Sequence, residues 1–165
     1  MKKGLPLIIG LCLLLGLNYD IWKKEQVLRN GQTVYVELAP VDPRSLMQGD
    51  YMRLAFAIER SIKKETAQEQ TKTGRLIIAP NEQSIAQFVS FDNGQPLKPE
   101  EITIRYTKAR RWNSSITIQP NSFFFQEGHR PLYEQAKYGV FKYQDAHTYL
   151  LYALADKDLN IIKPQ

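Results

Sequence analysis

Residues 40–58 read Pro40-Val41-Asp42-Pro43-Arg44-Ser45-Leu46-Met47-Gln48-Gly49-Asp50-Tyr51-Met52-Arg53-Leu54-Ala55-Phe56-Ala57-Ile58. Two periodicities meet in this stretch. Asp42 before Pro43 is a helix-start signal, because the carboxylate accepts backbone N–H bonds and the proline sits where its missing N–H costs nothing. Gly49 supplies the positive φ that ends a single turn. From Tyr51 onward the pattern has period two: Met52, Leu54, Phe56 and Ile58 are all apolar, while Tyr51, Arg53, Ala55 and Ala57 point the other way. The segment predicts one tight helical turn and then a return strand from Asp50, with the even-numbered residues facing a core.

Working outward, Thr33 to Leu38 alternates in the same way and stops at Pro40. On the other side, Glu59 to Lys72 is polar and has no apolar stripe, so it reads as a solvated helix or a flexible connection. Arg75–Ala79, Ala86–Phe91, Ile102–Thr107, Ser115–Gln119 and Ser122–Gln126 read as further strands, being short β-branched and aromatic runs divided by turn residues. Asn93-Gly94 suits a tight hairpin. Pro131–Lys137 reads as a short helix and Val140–Tyr143 as a strand. His147–Ala155 leaves no polar face in either period, so a central strand buried on both faces and a buried helix both fit. The fold class is mainly β, a β-rich α+β domain over residues 30–165, and no internal repeat or low-complexity tract interrupts it.

The first 29 residues differ in kind. Leu5 to Leu17 is almost wholly apolar, preceded by Lys2 and Lys3 and followed by Tyr19, Asp20, Trp22, Lys23 and Lys24. No A-x-A-like cleavage site follows, so the stretch reads as an uncleaved signal anchor, with a cleaved signal peptide as the alternative. Residues 4–22 make a helix of about 28 Å, enough to cross most of a bilayer, with Tyr19 and Trp22 at the interface. The short tail with Lys2, Lys3 and the free amine favours the inside, which puts the bulk of the chain outside the cytoplasm on a single-pass anchor in the cell membrane. Cys12 is the only cysteine, so no intrachain disulfide forms, and Leu11 before it does not suit lipoprotein processing.

Charge agrees with that division. Of the net +5, residues 1–29 carry +3 from five basic and two acidic side chains, and the other 136 residues carry +2. Nucleic-acid binding would concentrate Lys and Arg on the folded part, so no nucleic-acid partner is expected. At 43% hydrophobic and 24% charged, the chain is neither disordered nor a disulfide scaffold.

Gly49-Asp50-Tyr51-Met52-Arg53-Leu54-Ala55-Phe56 resembles the motif of the bacterial GDYXXLXY family, with Phe56 where the motif ends in Tyr. The resemblance takes in Val41-Asp42-Pro43-Arg44-Ser45-Leu46 upstream, and Phe123-Phe124-Phe125-Gln126-Glu127-Gly128 and Ala136-Lys137-Tyr138-Gly139 downstream. It implies a small membrane-anchored protein that works with integral membrane proteins. Its candidate binding residues are Asp42, Pro43, Arg44, Gly49, Asp50, Tyr51, Leu54, Phe56, Glu127 and Gly128.

Each has a structural reading beside the functional one. Asp50 caps the turn or pairs with Arg44, and Tyr51 covers the sheet, or both meet a partner. His129 and His147 are the only histidines and show no metal-ligand spacing such as H-E-x-x-H, so no metal, cofactor or catalytic residue is assigned. The competing class is a membrane-bound hydrolase with a signal-peptidase-like β fold, because Ser45 to Tyr51 resembles the stretch after the nucleophile of signal peptidases. The corresponding upstream residues are Pro40, Val41 and Asp42 rather than serine. A base such as Lys63 or Lys64 lies in a polar stretch where nothing lowers its pKa. The expected function is a non-catalytic accessory or binding module.

Overall fold

The alternation at Thr33 to Leu38 becomes strand β1 (Gln32–Glu37), whose inward residues Val34 and Val36 are buried. The computed structural model describes residues 5–40, 47–48, 51–62, 71–108, 115–126 and 128–163. Ahead of β1 lies helix α1 (Leu5–Asn30), and after it come β2 (Met47–Gln48), β3 (Tyr51–Arg53) and the short helix α2 (Ala57–Ser61). Strands β4 (Thr73–Pro80), β5 (Ala86–Phe91), β6 (Ile102–Lys108), β7 (Ile116–Ile118) and β8 (Ser122–Phe124) follow. A helical turn α3 (Arg130–Tyr133) leads into β9 (Tyr138–Asp145) and β10 (Thr148–Ala155). The architecture is β-rich.

All pairings within the three sheets are antiparallel, in the orders β1-β9-β10, β2-β3-β8 and β5-β4-β6-β7. Val34, Val36, Phe141 and Leu154 from the first sheet share one core with Leu76, Ile78, Ile104 and Ile118 from the third. The two larger sheets touch where Tyr35 bridges Ile85 and donates its N–H to the Ser84 carbonyl. A second, smaller cluster of Val140, Ala153 and Ala155 covers the other face of the first sheet.

Helix α1 stops at Gly31, where any Cβ would collide with the Val27 carbonyl oxygen. Its C-terminal part rests on β9 and β10, and Val27 is completely buried. Among the described residues no helix is long and apolar enough to cross a membrane. The residues of the expected anchor form the first part of α1, and its apolar side chains from Ile8 to Trp22 are exposed.

Four local expectations are corrected. The helical turn does not run up to Gly49, because Met47 and Gln48 are already strand, paired with Met52 and Tyr51. The strand over 51–58 stops at Arg53, and Ala57–Ser61 is helical, although Met52, Leu54, Phe56 and Ile58 are all buried as the period required. Asn93-Gly94 does not close a hairpin: β5 and β6 both pair with β4, so the ten residues between them cross over β4. Residues 148–155 form a strand at the edge of its sheet, not a central one. Its missing polar face has a local cause. A bulge between Leu151 and Ala153 sends Leu154 into the main core and Ala153 and Ala155 into the smaller one, with α1 packed nearby.

Candidate functional site: the motif strand and its aromatic partners

The motif strand β3 pairs with β8, setting Tyr51 opposite Phe124, Met52 opposite Phe123 and Arg53 opposite Ser122. Two blocks some 70 residues apart in the chain thus become one small sheet. Alternation along β8 and its continuation sorts the three phenylalanines. Phe123 and Phe125 turn inward onto buried Tyr133, with ring centroids 5.2 and 5.5 Å away. Phe124 turns outward onto Tyr51 at 5.8 Å and remains 74% exposed. Aromatic pairs opposite one another across a strand pair stabilise a sheet by a few tenths to about 1 kcal/mol, which helps a two- to three-residue pairing persist.

Beyond β3 the motif turns inward. The Leu54 N–H donates to the Asn121 carbonyl at 2.7 Å, and the Leu54 side chain is buried. Phe56, whose backbone is extended (φ −105°, ψ 144°), bridges Leu38 and precedes α2. Its ring is fully buried, 5.8 Å from Phe141 by centroids and directly over Gly139. Gly139 closes the fourth sequence block, so the motif's end packs on the block farthest from it in the chain. A phenyl ring fills this position without needing a hydrogen-bond partner, which accounts for Phe in place of Tyr.

Next to the motif is a group that sequence reasoning missed. Glu59 falls in the stretch read as solvated, yet its carboxylate accepts the Ile118 N–H at 2.7 Å and lies largely in the protein interior. Burial pushes its carboxyl up to about 7, against the opposing pull of the Ile118 N–H. The one sequence signal is its place three residues after Phe56, in the first turn of α2.

Of the candidate residues, Tyr51 is brought against the aromatic block at Phe124, Leu54 is bonded to Asn121 just ahead of it, and Phe56 is packed on Phe141 and Gly139. Gly128 sits apart in an exposed turn at φ +85°, a conformation that favours glycine. Asp42, Pro43, Arg44, Gly49, Asp50 and Glu127 lie outside the described residues, as do Ser45, Lys63 and Lys64. His129 precedes α3, whereas His147 sits in the β9–β10 turn, where its N–H is accepted by Asp145 at 2.8 Å. The main-chain bond to His147 is the leading reason the Asp145 carboxyl titrates below the usual range. Among the described residues no group of His, Cys, Asp and Glu is placed to hold a metal ion.

Comparison with known proteins bears on this arrangement. No curated protein and no solved structure matches the chain. The family profile described as GDYXXLXY protein matches residues 13–154, which takes in the motif strand, the aromatic block and Gly139 together, and the chain belongs to that family.

Proposed function

We propose that the chain is a membrane-anchored extracytoplasmic accessory module, non-catalytic, that binds integral membrane proteins. What carries this reading is the outer surface of α1. Ile8, Ile9, Leu11, Leu13, Leu14, Leu15 and Leu17 are 52–64% exposed. At about 100° per residue these positions are distributed around the whole helix circumference. Left in water, such a sleeve is unfavourable by about 25 cal/mol for each Å²; a bilayer around residues 4–22 removes that cost. Tyr19 and Trp22, with ring centroids 6.0 Å apart, stand at the polar end of the sleeve, where interfacial aromatics belong. Lys2 and Lys3 favour the inner face, which leaves residues from about 25 onward outside the cytoplasm.

The partner surface in this reading is the small motif sheet, with Tyr51 and Phe124 at its centre. Exposed aromatic side chains are enriched among interface anchors. The test is a photo-crosslinking residue in place of Phe124 in native membranes, together with a reporter fused after Gln165. An adduct with an integral membrane protein and activity only of the extracytoplasmic reporter support the proposal. A cytoplasmic reporter signal, or no membrane-protein adduct, overturns the corresponding half. Loss of function in Ser45→Ala or His129→Ala at normal abundance would instead favour the hydrolase class.

A further inference from the structure

Strands β4 and β6 place Arg75 directly opposite Arg105. Paired residues on antiparallel strands share a face, so both arginines line the same cleft, and like charges on one rung are destabilising by themselves. Around them open two adjoining clefts of about 640 and 250 Å³, which share Arg105, Gln119 and His147. The walls come from separate parts of the chain: Asp92 from the end of β5, Gln119 from the end of β7 and His147 from the β9–β10 turn.

Arg75 is held from two sides. Its Nη1 is 3.8 Å from Asp92 Oδ2, while Asp92 Oδ1 accepts the Gly94 N–H. Its Nη2 is 3.4 and 3.3 Å from Nδ1 and Nε2 of His147. A nitrogen equidistant from both imidazole nitrogens cannot lie in the ring plane without striking Cε1, so the guanidinium lies over the ring face. Arg105 is different: among the described residues its guanidinium has no hydrogen bond or ion pair, its charge acts on the nearby Tyr149 hydroxyl, and its main chain is bonded to Tyr149 Oη and to Gln119 N–H. The Thr107 hydroxyl accepts from Gln119 Nε2 at 3.1 Å, which leaves its own proton to donate.

We propose that this cleft is a binding site for a phosphate group. Among the described residues of the lining, two guanidinium forks stand with one carboxylate, Asp92, which leaves an excess of positive charge, and forks of this shape match phosphate oxygens in pairs. A phosphate between them relieves the repulsion across the Arg75–Arg105 rung, with Thr107 as a neutral donor. The larger cleft, about 640 Å³, has room beside a phosphate for the body that bears it, either a soluble ester or a lipid headgroup.

The test titrates the full chain in neutral-detergent micelles with glycerol phosphate and, separately, with dihexanoylphosphatidic acid, which carries the same group on a lipid. Saturable binding of either ligand is expected, weakened about tenfold or more by Arg105→Gln and by Arg75→Gln, with Arg105→Lys recovering only part of it because the fork is lost. The tighter of the two ligands identifies the source. Circular dichroism of each variant checks that the fold is kept. No saturable binding of either ligand up to roughly 10 mM, or binding that neither glutamine variant weakens, overturns the site.

Discussion

The ring of Phe56 lies so close over Gly139 that a Cβ there would stand 3.1 Å from Phe56 Cε1. This contact ties the end of the motif to β9, and both partners can be tested. Phe56→Ala should cost about 3–5 kcal/mol, as for other fully buried phenylalanines. Gly139→Ala should cost about 1 kcal/mol, because Phe141 on the other side limits how far the ring can move. Thermal melting of the purified variants measures both; a neutral Gly139→Ala would show that the ring has room to yield.

Glu59 makes stability depend on pH. The folded chain holds this proton up to about pH 7, the unfolded chain only to about 4.5. Between those values the folded state binds more protons, so its stability falls as pH rises, and the loss is complete above about 7. With solvent screening of a partly exposed group, the effect is about 1–3 kcal/mol. Glu59→Gln keeps an oxygen for the Ile118 N–H and removes the titration. Its melting temperature should vary less across the window than that of the parent and exceed it at pH 8; parallel curves would exclude a buried, titrating Glu59.

Gly74 lies opposite Tyr106, and an added Cβ would approach the tyrosine hydroxyl to 2.6 Å. Tyr106 is buried and packed edge-on against Phe91 at 5.5 Å, so it has little freedom to withdraw. Gly74→Ala should therefore destabilise by about 1–3 kcal/mol. In a double-mutant cycle, Tyr106→Phe should recover part of that loss by removing the nearest atom. Strict additivity of the two changes would place the strain on the ring carbons Cε1 and Cζ, 2.8 Å from the added Cβ, and not on the hydroxyl.

Phe124 should separate stability from partner binding. Its side chain is mostly in solvent, so Phe124→Ser should change stability by no more than about 0.5 kcal/mol beyond the loss of the Tyr51 contact. On the proposed function, co-purification of a membrane partner should fall steeply in the same variant. Co-purification at the parental level would take the motif sheet out of the interface.

Where packing follows from local alternation, the sequence is informative: Val34 and Val36, and Met52, Leu54, Phe56 and Ile58, are buried as their spacing requires. The switch from strand to helix after Phe56 is hidden, because an apolar residue at 58 serves both periods. Glu59 is hidden for another reason. Its burial depends on Ile118, distant in the chain, and polar neighbours give no sign of it. The Arg75–Arg105 rung likewise depends on the register of β4 against β6, and neither arginine stands out within its own strand. Of the motif, the inward roles of Leu54 and Phe56 follow from alternation, while the Tyr51–Phe124 contact needs the pairing of two remote blocks.

The helix from Leu5 to Asn30 is unbroken, so its exposed apolar half and the buried Val27 share one axis. The angular position of the apolar half relative to the domain is therefore set by the number of helical residues between them. Two residues inserted between Lys23 and Lys24 would advance the upstream half by about 200° while lengthening the helix by only ~3 Å. Lipid surrounds a helix uniformly and is indifferent to that phase; a neighbouring helix packed on one side is not. For the proposed membrane anchor, the insertion thus distinguishes a helix that merely holds the domain from one whose azimuth is itself read.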